Sequence, residues 1–192
     1  MHHLVVAFFA TSDAKFSGIL DPYVAGANGM LAPYEMAIET FPTNGSAGGP
    51  RILGYTGVVL DGPGDPGTVR AQAHNAVPQG RGIPVIFCKR QTDDSRGTGF
   101  DFGATIQTNS PVNNGIQWLP YILINTQVKS ASNEVLLHEL IHAAYGSNQP
   151  GHDASNTSVF FPYSSESNGT QRTLSAPHAS ALRRAYFSVV VS

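Results

Sequence analysis

The distribution of apolar and polar residues predicts a strand-rich N-terminal part of the chain. The apolar runs at residues 4–10 and 82–88 are short and uninterrupted, which is typical of strands that are buried on both faces. Segments rich in β-branched and aromatic residues predict the other strands. These further strands are expected at residues 51–61, 99–108 and 117–128.

Two helices are predicted within the same part of the chain. The pair Asp21-Pro22 is interpreted as a break in the chain, because proline lacks a backbone N–H. Pro33 is compatible with the first position of a helix, so a helix is predicted over residues 33–40. A short helix is also expected over residues 68–76.

The best-marked helix is predicted over residues 135–145. Polar residues before it can cap its start, and Glu134 is expected in the first turn, where the positive helix end favours a carboxylate. Gly146 is a natural stop. A last helix is predicted to begin after Ser175, with Pro177 in its first turn.

Composition excludes several kinds of partner. Charged residues make up 12% of the 192 residues and the formal net charge is -2. Nucleic acids and anionic membranes need a dense cationic surface, so neither is an expected partner. No apolar stretch approaches the roughly 20 residues that span a bilayer. The single cysteine, Cys88, excludes an intrachain disulfide and is predicted to be a buried thiol in a strand.

The predicted helix over residues 135–145 carries the motif His138-Glu139-Leu140-Ile141-His142. Residues four apart share a helix face, so the imidazoles of His138 and His142 can reach a single ion. Zinc suits them because it binds neutral imidazole nitrogen. Glu139 is displaced by one residue, where its carboxylate can take a proton from metal-bound water. The apolar neighbours Leu140 and Ile141 argue against two solvated surface histidines.

A catalytic zinc site normally has three protein ligands. The residues alone leave three candidates for the third ligand. His152 follows a loop at residues 147–151 that can turn the chain back toward the helix end. Asp153 can ligate, or can orient a ligating imidazole through a hydrogen bond. Glu166 would supply the ligand from a later segment. His152 is the predicted ligand.

The stretch HELIHAAYGSNQPGHD, followed by SVFFPYSSESNG and APHASALRRAYF, resembles the metzincin group of zinc metallopeptidases. That group has HExxHxxGxxH on and after its active-site helix, then a tight Met-turn beneath the metal. The resemblance covers residues 117–187. It implies an α+β, zincin-like fold with a twisted mixed β-sheet, an active-site helix and a small C-terminal subdomain ending in a helix. It also implies one catalytic domain over residues 1–192, with an upper subdomain at about 1–146 and a lower one at about 147–192.

The chain departs from the metzincin pattern in two ways. Gly146 lies four residues beyond His142 instead of three, and His152 lies ten beyond it instead of six, so the metal loop would carry an insertion. Phe160 stands where the Met-turn methionine is expected. That methionine packs beneath the metal without ligating it, so phenylalanine can replace it sterically. Glu166 keeps a gluzincin-like arrangement open.

The sequence also suggests a role or an environment for one tyrosine and two further histidines. Tyr163 follows the turn, where several metzincins have a tyrosine that helps to stabilise the tetrahedral intermediate; the alternative is a packing tyrosine. His178, in the first turn of the last helix, is expected to be solvated or capping. His74 is expected to be exposed.

These features predict a zinc-dependent endopeptidase with one catalytic Zn²⁺ ion, in which Glu139 is the general base for a zinc-activated water. A protein or peptide substrate would lie extended along Tyr121–Asn125, which resembles the substrate-binding edge strand of the family. One alternative is a gluzincin-like protease or effector toxin with Glu166 as third ligand. Another is a non-catalytic domain with structural zinc, which would have no use for Glu139. The expected state is a monomer, secreted to the extracellular space or periplasm or delivered as an effector.

Overall fold

The computed structural model describes most of the sheet and the helices that pack on it. The described residues are 1–14, 20–41, 49–56, 58–60, 77, 82–91, 103–106, 120–126, 134–146, 150–161 and 172–191. The helix predicted over residues 68–76, and His74 within it, lie outside this part of the chain.

Eight strands and three α-helices are present in the described residues. In chain order they are β1 (His2–Thr11), α1 (Asp21–Leu31), β2 (Met36–Thr40), β3 (Arg51–Leu53), β4 (Val58–Leu60), β5 (Ile83–Gln91), β6 (Gly103–Ile106), β7 (Tyr121–Asn125), α2 (Val135–Tyr145), α3 (Ala176–Arg184) and β8 (Ser188–Val190). A 3₁₀ turn, Ala32–Tyr34, follows α1.

The strands form a mixed, mostly parallel sheet whose central order is β2-β1-β5-β7-β6. β3 pairs with β1, and β4 with β5, also in parallel. Only β6 and β8, among the described strands, run antiparallel to their partners. The fold is therefore mixed α/β, which is consistent with the expected α+β class. The apolar runs in β1 and β5 form buried strands, as predicted. No helix in the described ranges is long and apolar enough to span a bilayer.

The two faces of the sheet bury different sets of side chains. On β7, Ile122 and Ile124 join the larger apolar cluster, which includes Leu136 and Leu140 of α2. Leu123 belongs to a second cluster on the opposite face. This alternation follows from the two-residue period of a strand. It means that α2, which carries the histidine motif, packs directly on the central strands.

The prediction of a helix over residues 33–40 is wrong. The helix instead begins at Asp21, because Pro22 fits its first turn, where a missing N–H costs nothing. Residues 36–40 form β2, parallel to β1. Met36 and Ile38 are buried in alternation, which is the period of a strand.

The prediction that Tyr121–Asn125 is the edge strand is also wrong. Ile122 pairs with Val85 of β5 on one side and with Thr105 of β6 on the other. β7 is therefore an interior strand, and β6 is the end of the central order. The apolar composition of β7 is typical of a strand buried on both faces, which an edge strand need not be.

The C-terminal part does not end in a helix. α3 ends at Arg184, and the chain continues through the buried Phe187 into the short strand β8. Residues 188–190 pair with residues 2–4 of β1, so the last described strand lies beside the first.

Candidate metal centre

Helix α2 holds His138, Glu139 and His142, and its bounds agree with the prediction. Residues 135–141 are all buried, so the helix is fixed to the sheet along its length. Glu134 is the N-cap residue and not part of the first turn. Gly146 ends the helix with a φ of 58°, a left-handed value that favours glycine.

His152 returns to the end of α2 and completes a group of three imidazoles. Its Nε2 lies 3.0 Å from Nε2 of His142, which in turn lies 3.1 Å from Nε2 of His138. One ring nitrogen from each residue lies within 4.8 Å of the other two, so the three histidines could hold a metal ion. The structure thus brings together the three predicted ligands.

The orientation of His138 is set by the protein backbone. Its Nδ1 lies 2.9 Å from the carbonyl oxygen of Val159. A carbonyl only accepts, so Nδ1 carries the proton and donates it. Burial lowers the pKa of His138 to about 3. The ring is therefore neutral near pH 7, and its Nε2 presents a lone pair to the other histidines.

This donor set fits a zinc ion. Two imidazole nitrogens at about 2.0–2.1 Å from zinc in a tetrahedral arrangement are about 3.3 Å apart. The two separations at His142, 3.1 and 3.0 Å, are slightly shorter than this. A backbone carbonyl bonded to the second nitrogen, as at His138, is a common support for a metal-binding imidazole. Three imidazole nitrogens with small separations suit zinc better than calcium or magnesium, which prefer oxygen.

Phe160 packs against the whole cluster. Its ring centroid lies 5.2 Å from that of His138, 4.7 Å from His142 and 5.0 Å from His152. The side chain is fully buried. The steric replacement of a methionine at this position, inferred from the sequence, is therefore compatible with the geometry: the ring contacts all three imidazoles and offers no ligand atom.

A hydrogen-bond network joins the loop of His152 to two helices. Asp153 Oδ2 accepts from Ser158 Oγ and, at 3.0 Å, from Nε2 of His178 on α3. Nδ1 of His178 lies 2.9 Å from the hydroxyl of Tyr145 on α2. Phe160 N–H donates to Ser158 Oγ. The network therefore anchors the residue next to His152 to both α2 and α3.

The expectation that His178 is solvated or capping is wrong. Its exposed fraction is 4%, because α3 packs its first turn against α2 and against Phe160. A first-turn position alone cannot reveal this, since burial depends on where α3 docks. Burial alone would raise the pKa of Asp153, but the hydrogen bonds from Ser158 and His178 lower it below its ordinary value.

Glu139 has a partner that the sequence did not reveal. Thr105 Oγ1, on β6, lies 2.8 Å from the carboxylate Oε2 of Glu139 and 2.8 Å from its backbone carbonyl oxygen. Glu139 itself is buried, with an exposed fraction of 5%. Only the pairing of β6 with β7 brings Thr105 to α2, so no local motif could have identified it.

The remaining candidate residues either lie apart from the group of three histidines or lie outside the described residues. The Asp153 carboxylate is engaged by Ser158 and His178, and Asp153 is not part of the group of possible ligands in the described ranges. Tyr163 and Glu166 lie outside the described residues. Cys88 is fully buried in β5, as predicted.

No protein-family model matches the sequence, and a search of curated proteins gives no significant match. The chemistry of the site therefore has to be inferred from its own residues.

Proposed function

We propose that the chain is a zinc-dependent endopeptidase of zincin-like fold. The observation that carries the proposal is the meeting of His138, His142 and His152, with the buried Glu139 directly after His138 on α2. Three histidine ligands, together with a glutamate on the helix that carries two of them, are the components of a hydrolytic zinc site.

In this proposal the histidines hold the ion and Glu139 moves the proton. A bound zinc ion supplies Lewis-acid chemistry, since it polarises a carbonyl and makes water more acidic. Glu139 accepts the proton of the attacking water and delivers it to the leaving amine. Its burial excludes bulk water from the carboxylate, which strengthens its electrostatic interactions at the reacting centre.

The substrate proposed for this site is a protein or peptide in extended conformation. β6 is the end of the central strand order, and its partner on the inner side is β7. An extended peptide can add to such an edge by main-chain hydrogen bonds. β6 also packs beside α2, so a peptide on this strand would lie close to Glu139.

The presence of Glu139 distinguishes this proposal from a structural zinc site. A closed structural site needs four protein ligands, and Asp153, the neighbouring candidate for a fourth, bonds to Ser158 and His178 instead. A gluzincin-like arrangement would need Glu166 in place of His152. The position of His152 Nε2, 3.0 Å from His142 Nε2, favours the three-histidine arrangement.

The test is the substitution Glu139→Gln in the zinc-loaded protein. We expect it to retain about one zinc ion per chain and to lose peptidase activity on an unfolded protein substrate by about 10²–10⁴-fold, the usual contribution of a general base. The matched control is Glu39→Gln, which alters an exposed glutamate on β2. Full activity in Glu139→Gln would disprove the mechanism. A zinc-loaded wild-type protein that cleaves nothing in a broad peptide library would favour the structural-zinc alternative.

A further inference from the structure

The hydroxyl of Thr105 on β6 contacts helix α2 at Glu139. Its Oγ1 lies 2.8 Å from Glu139 Oε2 and 2.8 Å from the Glu139 carbonyl oxygen. Both oxygens accept hydrogen bonds, whereas a threonine hydroxyl has one proton to donate. An ionised carboxylate is the stronger acceptor, because charge-assisted hydrogen bonds are roughly twice as strong as neutral ones.

The strand register places Thr105 on the side of the sheet that faces α2. Thr105 is the cross-strand partner of Ile122, and directly opposed residues in an antiparallel pair point to the same face. Ile122 belongs to the apolar cluster that contains Leu136 and Leu140 of α2. A slip of one residue in the pairing of β6 would turn Thr105 away from Glu139.

Burial makes this contact important for the direction of the carboxylate. Glu139 is 5% exposed, so protein groups and not bulk water set the orientation of its side chain. A general base must lie within hydrogen-bonding reach of the proton that it takes. A displacement of about 1 Å can reduce the rate of an enzyme by about 10²-fold.

We propose that Thr105 is a positioning residue that holds Glu139 in the direction required for proton transfer; this inference rests on the proposed peptidase function. Thr105 also ties the base to the strand along which an extended peptide would pair. The register of β6 then determines both the position of a paired peptide backbone and the position of the hydroxyl that bonds to the Glu139 carboxylate.

The first test compares Thr105→Val, which keeps the shape and removes the hydroxyl, with Thr105→Ser, which keeps the hydroxyl. We expect Thr105→Val to lower kcat by about tenfold or more while KM changes by less than about threefold. Thr105→Ser should recover most of the lost kcat. Zinc content should stay at the wild-type level in both. Thr40→Val, a threonine at the end of β2, is the matched control.

The second test uses metal-free protein and does not depend on catalysis. Thr105→Val should lower Tm by roughly 5 °C in the wild-type background, because it removes a hydrogen bond to a buried carboxylate. In the Glu139→Ala background the decrease should be smaller, since only the bond to the backbone carbonyl is then lost.

The outcomes separate this inference from the proposed function. An active wild type with an equally active Thr105→Val variant would overturn the positioning role and leave the peptidase intact. Equal Tm decreases in the two backgrounds would also overturn it, because Thr105 would then act only on the helix backbone. A wild-type protein without peptidase activity would count against the proposed function, whereas the metal-free comparison would still report on the contact.

Discussion

His138 and His152 lie in the same cluster of imidazoles, yet the protein supports them in different ways. His138 is buried on α2, and its Nδ1 is held by the carbonyl of Val159. His152 is exposed on a segment that returns to the helix, and its neighbour Asp153 is bonded to Ser158 and His178. His138 is thus positioned by the core, and His152 by the hydrogen-bond network of its neighbour Asp153.

The cluster therefore has two halves that are stabilised differently. The helix half is His138 and His142 on α2, and the returning half is His152 on the segment that comes back to the helix end. The helix half is ordered by apolar burial that exists without any metal. The returning half is held by the hydrogen bonds of Asp153 to Ser158 and His178, and the imidazole of His152 itself is exposed. Binding of the metal should therefore order the returning half more than the helix half, since ligand binding stabilises the state that it binds.

The largest effect is expected from removal of either end of the cluster. His138→Ala and His152→Ala should each weaken zinc binding by at least about 100-fold, because each removes one of three ligands. Their effects on the metal-free protein should differ. His138→Ala leaves a cavity and an unpaired carbonyl at Val159, so its Tm should fall by several degrees. His152→Ala should leave Tm almost unchanged, because its ring is exposed. Zinc titration and thermal unfolding measure the two effects.

Glu166→Ala serves as the control for the identity of the third ligand. We expect it to bind zinc as tightly as the wild type. Tight binding by His152→Ala together with loss of zinc from Glu166→Ala would show that the third ligand comes from the later segment. The metzincin-like assignment would then be wrong, although zinc hydrolysis at the helix motif could still hold.

A smaller effect is expected from the network that supports the returning half. Asp153→Ala and His178→Phe each remove the bond between Asp153 and His178. Loss of such an outer contact usually weakens metal affinity by about 10–100-fold. His3→Gln, at a half-buried histidine that is bonded to Glu39 and lies on β1, is the control. Wild-type affinity in both network variants would mean that the ion alone is enough to hold His152.

The smallest effect concerns the stability of the metal-free protein at low pH. Burial lowers the pKa of His138 to about 3, and desolvation also lowers the pKa of His152, against the influence of Asp153. The unfolded chain therefore takes up protons below the ordinary histidine pKa of about 6.5, whereas the folded protein does not. Stability should be complete above about pH 6.5 and should fall toward pH 4.

For His138 the expected slope is about 1.4 kcal/mol per pH unit in the free energy of unfolding. Urea unfolding between pH 7 and pH 4.5 measures it, and His138→Gln should reduce the slope by about that amount. An unchanged slope in this variant would show that His138 does not remain neutral on folding.

Local sequence patterns were sufficient for the helix half of the site. The apolar residues around His138 and Glu139, with Gly146 as a stop, predicted the bounds of α2, because burial and the left-handed C-terminus are local properties. The spacing of His138 and His142 predicted their shared face. The buried runs of β1 and β5 were predicted for the same reason.

The remaining features depend on pairings between distant segments. The burial of His178, the contact of Thr105 with Glu139 and the interior position of β7 all result from how elements dock, which no local period reports. The local sequence does not determine the role of Pro22, because proline is compatible both with a break in the chain and with the first turn of a helix. Tertiary packing selected the second, burying Ala27 and Leu31.

The pairing of β8 with β1 has a consequence for the order in which the chain can fold. His2 pairs with Val190, so this contact joins residues 188 positions apart in sequence. On the ribosome, residues 2–4 of β1 can pair with β2 on one side, but their pairing on the other side has to wait until residues 188–190 have been synthesised. Contacts of such long range slow folding, because the chain loses the entropy of closing a long loop before the contact forms. A nascent chain halted shortly after α3 would therefore expose one edge of this part of β1 to other strands and to chaperones.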